Sequence, residues 1–169
     1  MKEYTKDGFV LKRFLPSDWQ VYKSIRLEAL QTNPEMFGSS YLKESQYDDT
    51  EWQSILLNEE RGFFGLYDGQ EIIGVTGTAL VKEDKTQAVL IASFIRPEYR
   101  GMGLSALFYE ARLDWAREQH CQSVIVSHRV DNVSSMKANQ RSGFVYTHSK
   151  LNDWPDGVTA DQLYYKLDL

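Results

Sequence analysis

The spacing of apolar residues in the first third of the chain predicts one strand followed by two helices. Residues 9–14 are rich in β-forming side chains and partly alternate with polar ones, which is typical of a strand. Ser17 and Gln20 then have the spacing of a capping box and predict the start of a helix that ends at Asn33 and Pro34. A shorter helix is predicted from about residue 50 to residue 57.

In the middle of the chain the apolar period shortens to two, which favours strands. Three β-rich runs follow one another, and Asp68 and Gly69 between the first two form a hairpin signal. A long helix ending near residue 119 is expected next, because one apolar face is formed by Leu104, Leu107, Phe108, Ala111 and Trp115. The remaining predicted elements are strands at residues 62–67, 71–81, 87–95, 124–126, 144–151 and 162–167, and a short helix at residues 134–141 that Gly143 ends.

This order of elements predicts an α/β (α+β) protein with a mixed, mostly antiparallel sheet of about seven strands and about four flanking helices. A crossover helix separates the fourth and fifth predicted strands. Of the 169 residues, 42% are hydrophobic and 25% are charged, which fits one globular domain over residues 1–169.

Charge and composition exclude several classes of function. A dispersed net charge of −5 argues against a nucleic-acid partner, which requires a basic face. A single cysteine, Cys121, excludes an internal disulfide, and the three histidines lack metal-ligand spacing, so we expect no metal. The polar start at Met1 predicts no signal peptide, and no apolar run approaches the ~18 residues that a membrane span needs. We therefore expect a cytoplasmic protein without a membrane partner.

The richest chemical signal is a glycine-containing turn between a predicted strand and the long helix. It reads Arg100-Gly101-Met102-Gly103-Leu104-Ser105. Glycines allow close backbone approach to a ligand, and the N-terminus of a helix offers unpaired N–H groups with a positive dipole end. Such a turn suits a phosphate or pyrophosphate, and Arg100 adds a cation. Ordinary turn chemistry explains the same glycines, and the turn alone leaves both interpretations open.

The element order, this turn and a later segment together resemble the GNAT superfamily of acetyl-coenzyme A dependent N-acetyltransferases. The resemblance covers nearly the whole chain. The family's pyrophosphate motif is Arg/Gln-x-x-Gly-x-Gly/Ala, and here Ser105 occupies the last small position. The resemblance implies acetyl-coenzyme A as acetyl donor, bound by main-chain N–H groups from Gly101 to Ser105. It also implies that the fourth and fifth predicted strands splay apart, so that the main chain of Phe94, Ile95 and Arg96 binds the pantetheine arm.

The later segment, residues 130–144, resembles the family pattern Asn-x-x-Ala-x-x-x-Tyr-x-x-x-Gly-Phe. Asn132 matches the residue that typically bonds the pantetheine amide, and Ser135 matches the small position. Asn139 stands where many members have the tyrosine proposed as general acid. Asparagine has no titratable proton near neutral pH, although it can hydrogen-bond the sulfur or the pantetheine arm. Asn139 as an ordinary residue of a helix face remains open.

The general base is not identified by the sequence. Where ribosomal-protein N-terminal acetyltransferases usually carry a glutamate base, this chain has Ser127, which argues against that subfamily. The weak catalytic candidates are Ser93, His128 and Asn139, and Glu35 and Glu44 are further carboxylates near the acceptor side. A lone histidine at a strand end, as His128 is here, is more often structural than catalytic.

Two loops that line the acceptor site in the family carry Phe37, Ser40, Asn152 and Trp154 here. Together with Asp153 they predict an aromatic and acidic pocket that suits an amine with an apolar or cationic body. An equally open interpretation is that Phe37 and Trp154 close the edge of the core. We expect an N-acetyltransferase that acts on a small-molecule or peptide amine by direct attack in a ternary complex, and a homodimer is possible. Two alternatives remain: a non-catalytic acyl-coenzyme A binding or sensing module, and a protein-interaction domain without cofactor.

Overall fold

An eight-stranded sheet forms the centre of the fold in the computed structural model, which describes residues 2–169. Met1, the first residue of the polar N-terminal stretch, lies outside the described residues. The strands are β1 Glu3–Lys6, β2 Phe9–Arg13, β3 Arg61–Asp68, β4 Glu71–Val81, β5 Asp84–Ile95, β6 Ser123–Arg129, β7 Val145–Asp153 and β8 Thr159–Asp168. Their order is β1-β2-β3-β4-β5-β6-β8-β7, and every neighbouring pair is antiparallel except β5 and β6.

Five α-helices cover the two faces of the sheet. They are α1 Trp19–Thr32, α2 Tyr41–Glu44, α3 Asp49–Leu57, α4 Ser105–Glu118 and α5 Val133–Arg141. Short 3₁₀ turns stand at Pro16–Asp18, Pro34–Met36 and Pro97–Tyr99. Within residues 2–169, no helix has the length and apolar character required to cross a membrane.

The two faces bury separate apolar clusters. One cluster packs α4 against the sheet, and its side chains include Leu107, Phe108 and Trp115. The other packs α1 and α3 against the opposite face through residues such as Ile25 and Trp52. Neighbouring residues of a strand point to opposite faces, so the two clusters are built from alternate positions of the same strands.

The mixed, mostly antiparallel sheet expected from the sequence is confirmed, with one strand more than expected. The additional strand, β1, has only four residues, and it turns into β2 through Asp7 and Gly8, which both have positive φ. The capping box expected from Ser17 to Gln20 is wrong. The carboxylate of Asp18 instead accepts a hydrogen bond from Leu15 N–H at 2.7 Å, and a 3₁₀ turn precedes α1.

The feature that positions the site is the separation of β5 from β6. The two strands pair over only three residues each, Gln87–Val89 with Ser123–Ile125. Beyond this ladder β5 stays paired to β4, and β6 stays paired to β8. Opposite Thr76 of β4, strand β5 carries two residues, Ala92 and Ser93, and Ala92 has a φ of 61°. Such a bulge bends the strand that contains it, and here β5 bends where the gap to β6 opens.

A buried ion pair holds α1 to α2 beside this gap. The guanidinium of Arg26 donates two hydrogen bonds of 2.9 Å to the carboxylate of Glu44, and both side chains are nearly buried. Burial opposes ionisation of Glu44, but the hydrogen bonds from Arg26 outweigh it and keep the pKa of Glu44 below its ordinary value. Glu44 is therefore a structural carboxylate in the folded protein.

We expect Glu44→Gln to lower the free energy of unfolding at neutral pH by about 3–5 kcal/mol, because Arg26 would remain buried without its counter-charge. Urea unfolding measures the change. The matched control is Glu60→Gln, which breaks the exposed Lys85–Glu60 pair and should cost less than about 1 kcal/mol.

The same pair has a predictable pH dependence. Because the folded pKa of Glu44 is lowered, its contribution is present above the ordinary value of 4.5 and is lost as the pH falls through the folded pKa. The stability difference between the wild type and Glu44→Gln should therefore shrink on acidification below about pH 4. A difference that stays constant down to pH 3 would contradict the assigned role.

Candidate active site

A cleft of about 1110 Å³ occupies the gap between β5 and β6. One wall is residues 90–95 of β5 and the other is residues 126–129 of β6. Its lining includes Phe37 and Phe63 of the α1 cluster together with Leu104 and Phe108 of the α4 cluster. The cleft therefore reaches both faces of the sheet.

The glycine-containing turn forms one end of the cleft at the start of α4. Gly101 and Gly103 both have positive φ, 80° and 73°, which favours glycine at these positions. After Arg100, the first main-chain hydrogen bond back onto this turn comes from Ala106 N–H, which donates to Gly103 O at 3.3 Å. The N–H groups of residues 101–105 are thus left for a ligand. Met102 is the one residue of this turn that does not line the cleft.

The cleft is strongly cationic although the chain as a whole is acidic. Among the described lining residues Glu44 is the only carboxylate, and it is paired with Arg26. The cationic lining residues are Lys6, Arg26, Arg61, Arg100, Arg112, Arg129, Lys137 and Arg141. This distribution suits a ligand that carries several negative charges.

The guanidinium of Arg100, expected to add a cation to the turn, and that of Arg96, for which only a main-chain role was expected, both have partners within the protein. Arg100 donates from Nε to Ile95 O at 2.8 Å and from Nη2 to Asn33 Oδ1, so its guanidinium binds β5 rather than the turn. Arg96 does not line the cleft, and its guanidinium forms salt bridges with Glu28 and Glu71. These contacts make the side chain of Arg96 a structural one.

The main chain of residues 94–96 was predicted to bind the pantetheine arm, but the pairing of β5 with β4 leaves only part of it free to do so. The N–H of Arg96 donates to Ile73 O of β4 at 2.9 Å, so it is not free for a ligand. Successive N–H groups of a strand point to opposite sides, so the N–H of Phe94 also faces β4 and that of Ile95 faces the cleft. Phe94 and Ile95 both line the cleft, and Ile95 holds the donor available there.

The residues predicted on α5 come together along the cleft. Asn132 caps the helix, and its Oδ1 accepts from Ser135 N–H at 3.1 Å. Asn139 is 1% exposed, and its Oδ1 accepts a hydrogen bond from the phenol of Tyr109. Within residues 2–169 the Nδ2 of Asn139 has no partner. An unpaired buried donor is costly, which points to a partner supplied by a ligand.

None of the candidate bases is free in this structure. His128 is buried, with Nδ1 2.6 Å from Arg129 O and Nε2 3.0 Å from the phenol of Tyr165. Glu44 is held by Arg26, and Glu35 accepts from Asn33 and does not line the cleft. His128 is thus a structural residue of the β6–β8 pair.

The third catalytic candidate, Ser93, lies in the bulge of β5 and contacts two side chains. Its Oγ is 2.8 Å from Thr76 Oγ1 and accepts a hydrogen bond of 2.9 Å from Nη1 of Arg112. A neighbouring guanidinium disfavours proton uptake by a hydroxyl, so Ser93 is suited to donating a hydrogen bond rather than to acting as a base.

On the acceptor side, two of the four predicted residues line the cleft. Phe37 and Trp154 do so, whereas Ser40 caps α2 and Asn152 donates to Gln162. The acidic pocket expected there is wrong: Asp153 does not line the cleft, and Glu44, the one carboxylate among the described lining residues, is paired with Arg26. Arg129 also lines the cleft on this side, and it is paired with Asp131 and Asp156.

The sequence prediction missed many of the lining residues, among them Lys6, Tyr109 and Arg112. Lys6 lies on the unexpected strand β1, with Nζ 3.4 Å from Gly103 O. Tyr109 and Arg112 belong to α4, and Arg112 stands four residues after Phe108, on the apolar face. A charged residue on that face was the available signal. The described part of the chain has no cluster of three or more histidine, cysteine, aspartate or glutamate side chains placed to bind a metal.

Comparison with known proteins identifies the family. A model of the acetyltransferase (GNAT) family matches residues 24–144, more than half of the chain. The chain belongs to the GNAT acetyltransferase family. A search of curated proteins finds no significant match.

Solved structures of the family share the fold at low sequence identity. An acetyltransferase of the GNAT family from Streptococcus pneumoniae is 15% identical, with a TM-score of 0.80 over 95% of this chain and 99% of that chain. The ribosomal-protein-S5-alanine acetyltransferase from Vibrio fischeri is 14% identical, with a TM-score of 0.81 over 99% and 97%. The spermidine N-acetyltransferase from Vibrio cholerae, solved with coenzyme A and spermine, is 15% identical, with a TM-score of 0.74 over 96% of both chains.

We expect Gly103→Val to weaken acetyl-coenzyme A binding by about tenfold or more, because a branched side chain would crowd the turn that is predicted to bind the pyrophosphate. A Cβ at this position meets only the mobile end of Lys6, so the fold should survive. Calorimetry measures the affinity. The control is Gly69→Val, which has the same positive-φ strain in the β3–β4 turn and open space around it. Equal affinities in both variants would remove the turn from the donor site.

Proposed function

We propose that this protein transfers the acetyl group of acetyl-coenzyme A to a primary amine by direct attack in a ternary complex. The observation that carries the proposal is the cleft between β5 and β6, which joins a turn of free N–H groups to both faces of the sheet. Membership of the family supports acetyl transfer in general. The amine acceptor and the direct mechanism are our inference from the residues.

The donor would lie along the cleft from the turn to the bulge of β5. Main-chain N–H groups of residues 101–105 would hold the pyrophosphate, and Lys6 and Lys137 supply positive charge beside it. The Ile95 N–H faces the cleft, as required for an arm that binds like an added strand. Asn132 and Asn139 would bind the arm from α5. Acetyl-coenzyme A itself supplies an activated thioester.

The chain's own groups would orient the reactants and stabilise charge. The lone pair of a neutral amine forms the new C–N bond, the C–S bond breaks, and its electron pair leaves on sulfur. The amine proton passes to water, because no lining carboxylate or imidazole among the described residues is free to accept it. Cys121 is buried against Lys85, outside the cleft lining, so no covalent enzyme intermediate is proposed.

The acceptor we propose is an amine with an apolar or anionic body. On the acceptor side Arg26 is paired with Glu44 and Arg129 with Asp131 and Asp156, so Arg61 is the cation without a carboxylate partner among the described lining residues there. A polyamine would bring further positive charge to Arg61 and would find no unpaired carboxylate in the described lining, which opposes binding. Small-molecule and peptide amines both remain within the proposal. The cytoplasmic location and the homodimer expected from the sequence stay predictions.

A panel of amines assayed with acetyl-coenzyme A tests the proposal through release of free thiol. The panel contains an aliphatic monoamine, a free amino acid, a short peptide and spermidine, and mass spectrometry identifies the acetylated nitrogen. We expect turnover with at least one of the first three and little with spermidine. Tight binding of acetyl-coenzyme A without thiol release from any amine would favour the binding-module alternative.

Asn139→Ala should lower kcat by less than about tenfold if Asn139 only positions the donor. The control is Gln140→Ala, an exposed change on the same helix. A loss of about 10²–10⁴-fold, the usual size for an acid–base group, would show that Asn139 takes a larger part in the chemistry. Asn139→Tyr is the complementary variant, and a higher kcat would indicate that the family's acid functions in this position.

A further inference from the structure

The side chain of Arg112 is a buried charge without a counter-charge. Arg112 is 3% exposed, and no carboxylate in residues 2–169 forms a salt bridge with it. Its contacts are neutral: Nε donates to Phe108 O at 3.0 Å, Nη1 donates to Ser93 Oγ at 2.9 Å, and the guanidinium lies 5.1 Å from the ring centre of Tyr109. Burial lowers the pKa of Arg112 to about 10, which leaves it charged at neutral pH.

Packing does not explain an arginine at this position. It occupies the apolar face of α4, between Phe108 and Trp115, where an unbranched apolar side chain would fill the same space. Replacing buried charges with apolar residues is often neutral or stabilising, so the folded state gains nothing evident from this one. Arg26 offers the contrast, because its charge is matched by Glu44.

The position of Arg112 connects it to the chemistry of the cleft. It follows Ser105 by seven residues, about 10 Å along the helix axis from the turn. Arg112, Ser93, Tyr109 and Asn139 all line the cleft. The contact with Ser93 places the guanidinium behind the bulge of β5, away from the pyrophosphate end and beside the gap where the two sheet faces meet.

Ser93 Oγ has two hydrogen-bond contacts, and the donor is fixed in only one of them. A guanidinium has no acceptor, so Arg112 must donate to Ser93 Oγ. The second contact, with Thr76 Oγ1, can run either way. When Thr76 donates, both lone pairs of Ser93 are used and its own O–H is free to donate into the cleft. The positive charge of Arg112 makes that O–H a stronger donor.

We propose that Arg112, acting through Ser93, is the counter-charge for the thiolate that leaves when the acetyl group is transferred. The inference rests on the proposed function. In the step concerned the C–S bond breaks and its electron pair remains on sulfur, while the nitrogen loses its proton to water. Arg112 keeps its proton throughout. The anion that the folded chain lacks is therefore supplied by the reaction, and the tyrosine acid that many family members carry at the position of Asn139 is not required.

Arg112→Met tests the inference through stability as well as through activity. We expect an unchanged or higher melting temperature, because an unpaired buried charge is replaced by an apolar chain of similar length. We expect kcat to fall about 10²-fold and KM for acetyl-coenzyme A to change by less than about threefold. Arg112→Lys, which keeps the charge, should recover part of kcat. A lower melting temperature with unchanged kcat would assign Arg112 to structure and overturn the proposal.

Binding of coenzyme A as a function of pH gives a readout that needs no turnover. Stabilisation of the thiolate lowers the pKa of the bound thiol, so wild-type affinity should rise about five- to tenfold between pH 6.5 and pH 9. Ionisation of the phosphates also changes the affinity with pH. Desulfo-coenzyme A, which has the same phosphates but no sulfur, is the control for this effect, and its affinity should show no such rise. Arg112→Met should abolish the rise. An equal rise in Arg112→Met, or none in the wild type, would overturn the proposal.

Ser93→Ala keeps the charge and removes the hydroxyl, and it covers the case in which Arg112→Met does not fold. It should reduce the pH-dependent rise by at least half, and an unchanged rise would exclude action through Ser93.

The proposal also fails if the wild type prefers a carboxylated donor such as succinyl-coenzyme A and Arg112→Met reverses that preference. If no amine is acetylated but the coenzyme A titrations behave as described, the proposed function fails, and with it the role of Arg112 in acetyl transfer; Arg112 is then the counter-charge of a bound coenzyme A thiolate only.

Discussion

The short parallel ladder between β5 and β6 is the constraint on which the rest of the molecule depends. Three residues from each strand pair, and the bulge at Ala92 and Ser93 then bends β5 away. Because β4 and β8 hold the outer edges of the two strands, their inner edges can separate without loss of either half of the sheet. The gap exposes main-chain donors inside the protein, and it is the place where a ligand can contact both apolar clusters.

Burying a positive charge is costly, and two guanidiniums beside this gap differ in how that charge is balanced. Arg26 donates a hydrogen bond of 2.9 Å to the carboxylate of Glu44, so its positive charge is neutralised within the folded protein. This ion pair stabilises the acceptor side. Arg112 has only neutral oxygens and an aromatic ring around it. The first arrangement contributes to stability in the absence of substrate. The second leaves a positive potential in the cleft, which becomes favourable when negative charge arrives.

Local patterns in the sequence were sufficient for most of the fold. The strand predicted at residues 71–81 has those bounds, and the apolar face of the long helix is buried as expected. The four-residue strand β1 was missed because its pattern is too short to show a period. The turn at residues 100–105 was placed from the glycines, because positive φ is a local requirement that the sequence records.

The side-chain partners could not be predicted, because they depend on residues that are distant in sequence. His128 looked free for catalysis, but Tyr165, 37 residues later, binds its ring. The N–H of Arg96 looked free for a ligand until strand pairing placed Ile73 opposite. Arg112 drew no notice, since the absence of a counter-charge is a property of the packed structure. The sequence therefore predicted the backbone conformation of the turn at residues 100–105 better than the side-chain partners around the cleft.

The donor site proposed above is built from main-chain groups, which has a consequence for how a protein of this fold can diverge. The N–H groups of a turn and of a strand keep their positions as long as the backbone keeps its path, whatever side chains they carry. Substitutions can then accumulate over most of the chain while the fold persists, in keeping with relatives that superpose with TM-scores of 0.74–0.81 at 14–15% identity. The acceptor side is formed by side chains such as Phe37 and Trp154, so a substitution there changes the surface that the acceptor contacts. Evolution can change the acceptor one residue at a time without rebuilding the donor site.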